Sequence, residues 1–170
     1  IGAGSISFDS PSWAPDSRLF AHIEAVDGKA SVVVTNIGDL EAHETIAEGD
    51  SRVGLGWSPD GRYIAIAKSS GTAFHTLSIY DIAADEERTI HEGDLRAFWW
   101  SPDSTKLALI EDSPDIELAH TWSVLDVDSG DLTPLVTQVV SDQFLFVQVF
   151  FDQYAESHNI WSPDSSHLVI

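Results

Sequence analysis

The chain has 170 residues, and 28 acidic residues against 8 lysines and arginines give it a formal net charge of −20. This charge argues against binding to nucleic acid or to an anionic membrane, because both need a basic protein surface. Cysteine is absent, which excludes disulfides, zinc–thiolate sites and thiol catalysis. No apolar run approaches the roughly 18 residues of a membrane-spanning helix, so we expect no direct membrane insertion.

A Trp-Ser-Pro-Asp tetrapeptide occurs four times, with alanine in place of serine in the first copy. The intervals between the four tryptophans are 44, 43 and 61 residues, and a recurring period of this length predicts a repeat architecture. The tryptophan, proline and aspartate of the copies, in chain order, are Trp13, Pro15 and Asp16; Trp57, Pro59 and Asp60; Trp100, Pro102 and Asp103; and Trp161, Pro163 and Asp164.

Each repeat reads as four short antiparallel strands. The motif tryptophan ends the first strand, Pro-Asp-Gly/Ser has turn chemistry, and an apolar alternation such as Ile64-Ala65-Ile66 begins the second strand. A third strand, exemplified by residues 76–82, is followed by a polar turn and a shorter fourth strand. Four such strands in about 40 to 45 residues are typical of one propeller blade.

The predicted fold is therefore an all-β propeller segment of about three and a half four-stranded blades. We predict a single domain over residues 1–170, with blades at roughly 5–50, 51–94 and 95–140 and an incomplete one at 141–170. Because a closed ring usually has about four to eight blades, we expect this segment to belong to a larger ring of about six to eight blades.

The run Trp-Ser-Pro-Asp-Gly-Arg-Tyr-Ile-Ala-Ile at positions 57–66 resembles the repeat of TolB-like β-propellers. The same repeat occurs in the propeller domains of prolyl-oligopeptidase-like serine peptidases. The resemblance implies that the motif tryptophan and proline pack between blades and that Asp-Gly/Ser forms the turn. It supplies no catalytic residue, and it favours an extracytoplasmic location, either periplasmic or at the cell surface.

The third interval is longer than the others, and the excess lies between Leu135 and Trp161. The stretch from Phe144 to Phe151 favours a strand. One interpretation is an elongated strand pair whose aromatic side chains fill the space between blades. The other is an aromatic surface that contacts a partner protein. The candidate interaction residues are Phe144, Phe146, Phe150, Phe151 and Tyr154.

Two further patterns are candidates for metal binding. Glu48-Gly49-Asp50 and Glu92-Gly93-Asp94 are predicted loops between blades, where the carboxylates of Glu48, Asp50, Glu92 and Asp94 could converge on a calcium ion. The same residues are also ordinary turn composition, which explains them without a metal ion. His75 and His120 occupy equivalent repeat positions but lack the spacing of a zinc site on one element. We therefore assign no metal site and expect no cofactor.

The sequence contains no Gly-x-Ser-x-Gly nucleophile elbow, and the motif serines belong to turns. The leading hypothesis is a non-catalytic propeller scaffold that mediates protein–protein interaction within a larger assembly. One alternative is the propeller domain of a prolyl-oligopeptidase-like serine hydrolase, and another is a propeller that binds a small ligand or cation in its channel. The expected partners are proteins, including a second copy of the chain through unclosed propeller edges.

Overall fold

The computed structural model describes residues 11–26, 28–50, 52–69, 74–141, 143–144 and 159–170. Strands dominate these residues, and the all-β prediction is confirmed. None of the described helical residues forms a helix long and apolar enough to cross a membrane. The strands are β1 (Ser12–Trp13), β2 (Leu19–Val26), β3 (Lys29–Asn36), β4 (Asp39–Gly49), β5 (Val53–Trp57), β6 (Tyr63–Ser69), β7 (Phe74–Asp81), β8 (Glu86–Trp100), β9 (Lys106–Asp112), β10 (Ala119–Asp126) and β11 (Leu132–Val139).

The strands form two antiparallel sheets. The first contains four strands in the order β1-β2-β3-β4 and is the first blade. The second contains seven strands in the order β11-β10-β9-β8-β7-β6-β5, and β8 is shared between the second and third blades. A bridge between Trp161 and Leu168 begins a fourth repeat. The described residues thus form a partial propeller that does not close.

Strand β8 differs from the sequence prediction. Its first part pairs with β7 and its last part with β9, and Leu95 pairs with both neighbours. Glu92, Gly93 and Asp94 therefore lie inside a 15-residue strand and not in a loop, and the fourth strand of the second blade is not short. Register shifts on both sides of Leu95 accompany the change of partner, because such irregularities bend a strand and alter its twist.

The core lies between the blades and consists of two clusters of buried residues. Alternate side chains of β6 point into one cluster or the other. Ile64 and Ile66 pack with Trp57 against the first blade, in a cluster that includes Val32. Ala65 and Ala67 point to the opposite face, in the cluster that contains the third blade. Residues 64–67 are fully buried, because both faces of the strand are covered by neighbouring blades.

Candidate interaction site at the inner strands

The serine of the motif fixes the turn that follows it. Ser58 Oγ donates to Asp60 Oδ1 at 2.6 Å and accepts from the backbone N–H of Tyr63 at 2.9 Å. The other two serine copies form the same bonds: Ser101 with Asp103 and the N–H of Lys106, and Ser162 with Asp164 and the N–H of His167. These hydroxyl groups are engaged in turn geometry, which agrees with the structural role predicted for them.

The same hydrogen bonds control the charge of the turn. Burial raises the pKa of Asp103, but hydrogen bonds from Ser101 and from the backbone and side chain of Thr105 outweigh it and lower the pKa to about 2. Hydrogen bonds from Ser162 and Ser166 likewise lower the pKa of Asp164. Both carboxylates are therefore ionised at neutral pH and serve as acceptors.

The motif tryptophan joins its blade to the preceding one through the indole N–H. Nε1 of Trp57 donates to the carbonyl oxygen of Ser12 at 3.0 Å, and Nε1 of Trp100 donates to that of Gly56 at 3.0 Å. Trp161 repeats the bond toward the carbonyl oxygen of Trp99 at 3.1 Å. In every case the acceptor is the residue directly before the motif tryptophan of the preceding blade, so the repeat geometry itself produces the bond.

A second link runs in the opposite direction along the ring. The backbone N–H of Asp60 donates to Ser104 Oγ, and that of Asp103 donates to Ser165 Oγ, both at 3.0 Å. Ser104 and Ser165 have left-handed backbone, with φ of 62° and 60°. The equivalent residue of the second blade is Gly61, which has no hydroxyl, and a Cβ there would lie 3.3 Å from Pro15. The contact between blades 1 and 2 therefore uses packing where the later contacts use this hydrogen bond.

The tryptophans differ in burial according to what precedes them. Trp57 and Trp161 are 7% and 6% exposed, Trp100 is half-buried, and Trp13 is 48% exposed. Trp100 stacks on Tyr63, with ring centroids 6.3 Å apart. Trp13 contacts Phe20 of its own blade. The exposed indole of Trp13 follows from the absence, among the described residues, of a blade packed in front of it.

An open cavity of about 540 Å³ lies where the inner strands of successive blades meet. This volume is within the range of ligand and peptide pockets. None of the side chains that line it is charged, although the chain as a whole is strongly acidic. The lining residues are Ser12, Trp13, Ala14, Pro15, Leu55, Gly56, Trp57, Ser58, Pro59, Phe98, Trp100, Pro102 and Asn159. The cavity is therefore suited to an uncharged, apolar or aromatic group.

Several ionisable side chains gather elsewhere, in the middle of β8, at the end of β9 and at the start of β10. His91 Nε2 lies 2.6 Å from Glu111 Oε1, and Arg96 forms a two-point contact with Asp112. His120 Nδ1 lies 3.1 Å from Asp112 Oδ1, but among the described residues neither ring nitrogen of this buried histidine has a hydrogen-bond partner. Within the described ranges, no three histidine, aspartate or glutamate side chains are arranged to hold a metal ion.

The acidic candidates for cation binding are distributed as follows. Glu48 and Gly49 are the last two residues of β4 and do not lie in the predicted loop, and Asp50 directly follows the strand. The side chains of Glu48 and Asp50 are exposed. Glu92 and Asp94 are exposed along β8, where Asp94 Oδ1 lies 2.8 Å from His75 Nδ1. Asp94 is thus paired with a histidine of the adjacent strand.

The insert is described only in part. Phe146, Phe150, Phe151 and Tyr154 lie outside the described residues. Gln143 and Phe144 have helical backbone, so the prediction of a strand beginning at Phe144 is wrong at that residue. The backbone N–H of Phe144 donates to Ser141 Oγ at 3.3 Å, as in a helix N-cap. The half-buried Phe144 ring packs on Trp122 at a centroid distance of 6.1 Å.

Sequence reasoning missed the inter-blade partners Gly56, Ser104 and Ser165. The signal was present in part, because Ser17, Gly61, Ser104 and Ser165 occupy the same place after the motif. Their shared position in the repeat predicts a turn, but the hydrogen bonds between blades depend on how two blades pack against each other.

Comparison with known proteins gives structural matches only. No protein-family model matches the chain, and no curated protein sequence matches it. TolB from Acinetobacter baumannii is similar over 76% of this chain and 32% of its own, at 16% identity and a TM-score of 0.60. The β-propeller domain of the Trilobed protease from Pyrococcus furiosus is similar over 79% of this chain and 42% of its own, at 20% identity and a TM-score of 0.59.

An oligogalacturonate lyase from Vibrio parahaemolyticus is similar over 81% of this chain and 41% of its own, at 18% identity and a TM-score of 0.58. The chain thus spans less than half of each of these structures, and the likeness concerns the fold. In its fold, the chain is a TolB-like β-propeller segment.

Proposed function

We propose that the segment is a non-catalytic propeller scaffold that binds another protein at the cavity between its inner strands. The observation that carries the proposal is the uncharged, aromatic lining of this cavity in a chain with a net charge of −20. A surface of this kind favours an apolar or aromatic side chain of a partner, because covering it removes water from no charged group. Trp13 supplies the most exposed aromatic ring at the cavity.

The hydrogen bonds of the motif support a scaffold role over catalysis. The hydroxyl groups of Ser58, Ser101 and Ser162 each donate to an aspartate of the same turn. A serine nucleophile must be accessible to its substrate, whereas Ser58 and Ser101 are fully buried and their hydroxyl oxygens also accept a backbone N–H. The extracytoplasmic location is proposed on the likeness to TolB alone.

A site-specific crosslinking experiment tests the proposal. A photo-crosslinking phenylalanine analogue replaces Trp13 at the cavity, and in a control chain it replaces Leu40, which is 64% exposed on β4. Expressed in its native cells, the Trp13 chain is expected to form a crosslink to a different polypeptide, and the Leu40 chain is not. Crosslinks at equal yield from both positions, or crosslinks from Trp13 only to a second copy of this chain, would contradict the proposal.

A further inference from the structure

The outer strands of the three blades differ in charge. They are β4 in the first blade, residues 86–92 of β8 in the second and β11 in the third. β4 contains four acidic residues, and the outer part of β8 contains three. None of the eight residues of β11 is charged, and all eight are exposed. Of the three outer strands that the structure describes, β11 alone lacks acidic residues, in a chain with a net charge of −20.

The outer edge of β11 carries backbone groups that no described strand pairs with. β11 is the last strand of its sheet, and its other edge pairs with β10. Blades of a propeller pack face to face, so a further blade would cover a face of this sheet and not its outer edge. Proteins protect such edges with charged side chains, which oppose pairing with another chain. β4 and β8 have this protection, and β11 does not.

The register of β11 limits which part of the edge can pair with a further strand. Pro134 has no backbone N–H, and the register against β10 shifts between Pro134 and Val136. Residues 136–139 pair regularly with β10. Val136, Thr137 and Val139 are β-branched, which favours extended backbone. Residues 136–139 are therefore the regular and uncharged part of the free edge.

From these observations we propose that two copies of the chain pair antiparallel through β11, around a two-fold axis at Thr137. This register places Thr137 opposite Thr137 of the other copy, and Val136 opposite Gln138. Thr–Thr pairs across strands are favourable, and no pair in this register opposes like charges. The contact uses the same surface on both copies, as a two-fold interface requires.

The occupant is a second copy because β11 is the outer strand on which the charge of this chain permits self-pairing. Acidic residues are distributed along β4 and the outer part of β8, as Glu44 and Glu86 show. Pairing two copies through either of those strands would bring carboxylates together, which is unfavourable. The proposal does not depend on the proposed function, because β11 contributes no residue to the cavity.

Disulfide trapping tests the register directly. The chain has no cysteine, so an introduced cysteine is the sole thiol. Thr137→Cys is expected to give a disulfide-linked dimer under mild oxidation with glutathione disulfide, because the two cysteines lie opposite each other. Thr133→Cys, on the same exposed strand, is the matched control. Its two copies would lie about 26 Å apart in this register, whereas a disulfide needs Cα atoms within about 7 Å.

A charge exchange tests the same axis without a covalent bond. Thr137→Glu places two carboxylates opposite each other and is expected to raise the dimer dissociation constant at least about threefold in sedimentation velocity. Thr133→Glu adds the same charge to the same strand and should leave the constant nearly unchanged. A mixture of Thr137→Glu and Thr137→Lys places opposite charges at the axis. The mixture should therefore associate more tightly than either variant alone.

Three outcomes overturn the proposal: no more disulfide dimer from Thr137→Cys than from Thr133→Cys, equal dissociation constants for the two glutamate variants, or a mixture that associates no better than its components. An edge covered by a different protein or by another part of the same chain would give the first outcome. Far-UV circular dichroism of each variant distinguishes lost association from lost folding. A chain that crosslinks a different polypeptide from Trp13 but forms no Thr137→Cys dimer would overturn the self-association alone and leave the proposed function standing.

Discussion

The indole nitrogen of Trp100 lies 3.0 Å from the carbonyl oxygen of Gly56, and this bond joins the third blade to the second. The same bond recurs from Trp57 and from Trp161. Each of these three tryptophans thus contributes in two ways, since its ring packs between blades and its N–H satisfies a carbonyl group of the neighbour. This double role explains why the motif uses tryptophan and not another large apolar residue.

The hydroxyl of Ser104 is expected to stabilise the contact between the second and third blades. Ser104→Ala keeps the left-handed backbone but removes the acceptor of the Asp60 N–H, so it should lower the free energy of unfolding by about 1 kcal/mol. Ser17→Ala is the matched control, because Ser17 has the same backbone conformation and accepts no described hydrogen bond. Chemical denaturation of dilute protein measures the free energy of unfolding of both variants. Equal losses from the two variants would contradict the role of the bond.

The turn at Asp103 is expected to make stability depend on pH. The pKa of Asp103 is lowered from 3.8 to about 2 in the folded chain, so its ionised form stabilises the fold above about pH 4. This contribution is lost as the pH falls from about 4 toward 2. Asp103→Asn should therefore show a smaller fall in stability than wild type over this range. Urea denaturation at several pH values measures the free energy of unfolding of both proteins. An equal fall in stability for the two would contradict the prediction.

Ser101 is expected to hold that pKa down, because its Oγ donates to Asp103 at 2.7 Å. Ser101→Ala should raise the pKa of the Asp103 carboxyl, as followed by NMR titration of its side-chain carbon. It should also destabilise the chain by about 1–3 kcal/mol, since the N–H of Lys106 loses its acceptor. The first copy of the motif has alanine at this position, so the variant is compatible with the turn. An unchanged pKa would contradict the assignment of the bond.

Phe144 is expected to contribute to folding through its contact with Trp122. Phe144→Ala should cost about 1–3 kcal/mol, less than a fully buried phenylalanine, because the ring is half-buried. Ile116→Ala, at a side chain 51% exposed, serves as the control and should cost little. A loss near zero for Phe144→Ala would show that the ring does not pack in solution.

The remaining aromatic residues of the insert call for a different measurement. If Phe146 and Phe150 fill space between blades, changing both to serine should lower the melting temperature. If they contact a partner, the melting temperature should stay nearly constant while co-purification of the partner is lost. The two results exclude each other, so one variant decides between the two interpretations.

The sequence predicts what depends on local pattern. The apolar alternation that begins at Ile64 predicts a strand buried on at least one face, and Trp-Ser-Pro-Asp predicts the turn that Ser58 and Asp60 form. The features that the sequence does not predict are those that depend on contacts with neighbouring strands and blades. Gly93 and Asp94 have turn composition, yet they continue β8 because β7 and β9 offer successive pairing partners.

The exposure of Trp13 has the same kind of origin. Its local sequence matches that of the buried Trp57, and the difference lies in whether a blade is packed in front of it. Phe144 shows the limit of strand propensity, since a cap from Ser141 and the ring of Trp122 determine its conformation. A period-two pattern carries no information about such contacts.

The most direct test of the central claim, that motif tryptophans hold successive blades together, is the stability of Trp57→Ala beside Trp13→Ala in dilute protein. Trp57 is 7% exposed and donates to Ser12, so its removal should lower the free energy of unfolding by about 3–5 kcal/mol. Trp13 is 48% exposed, and its removal should cost clearly less. A loss below about 1 kcal/mol for Trp57→Ala, or equal losses for the two variants, would contradict the account.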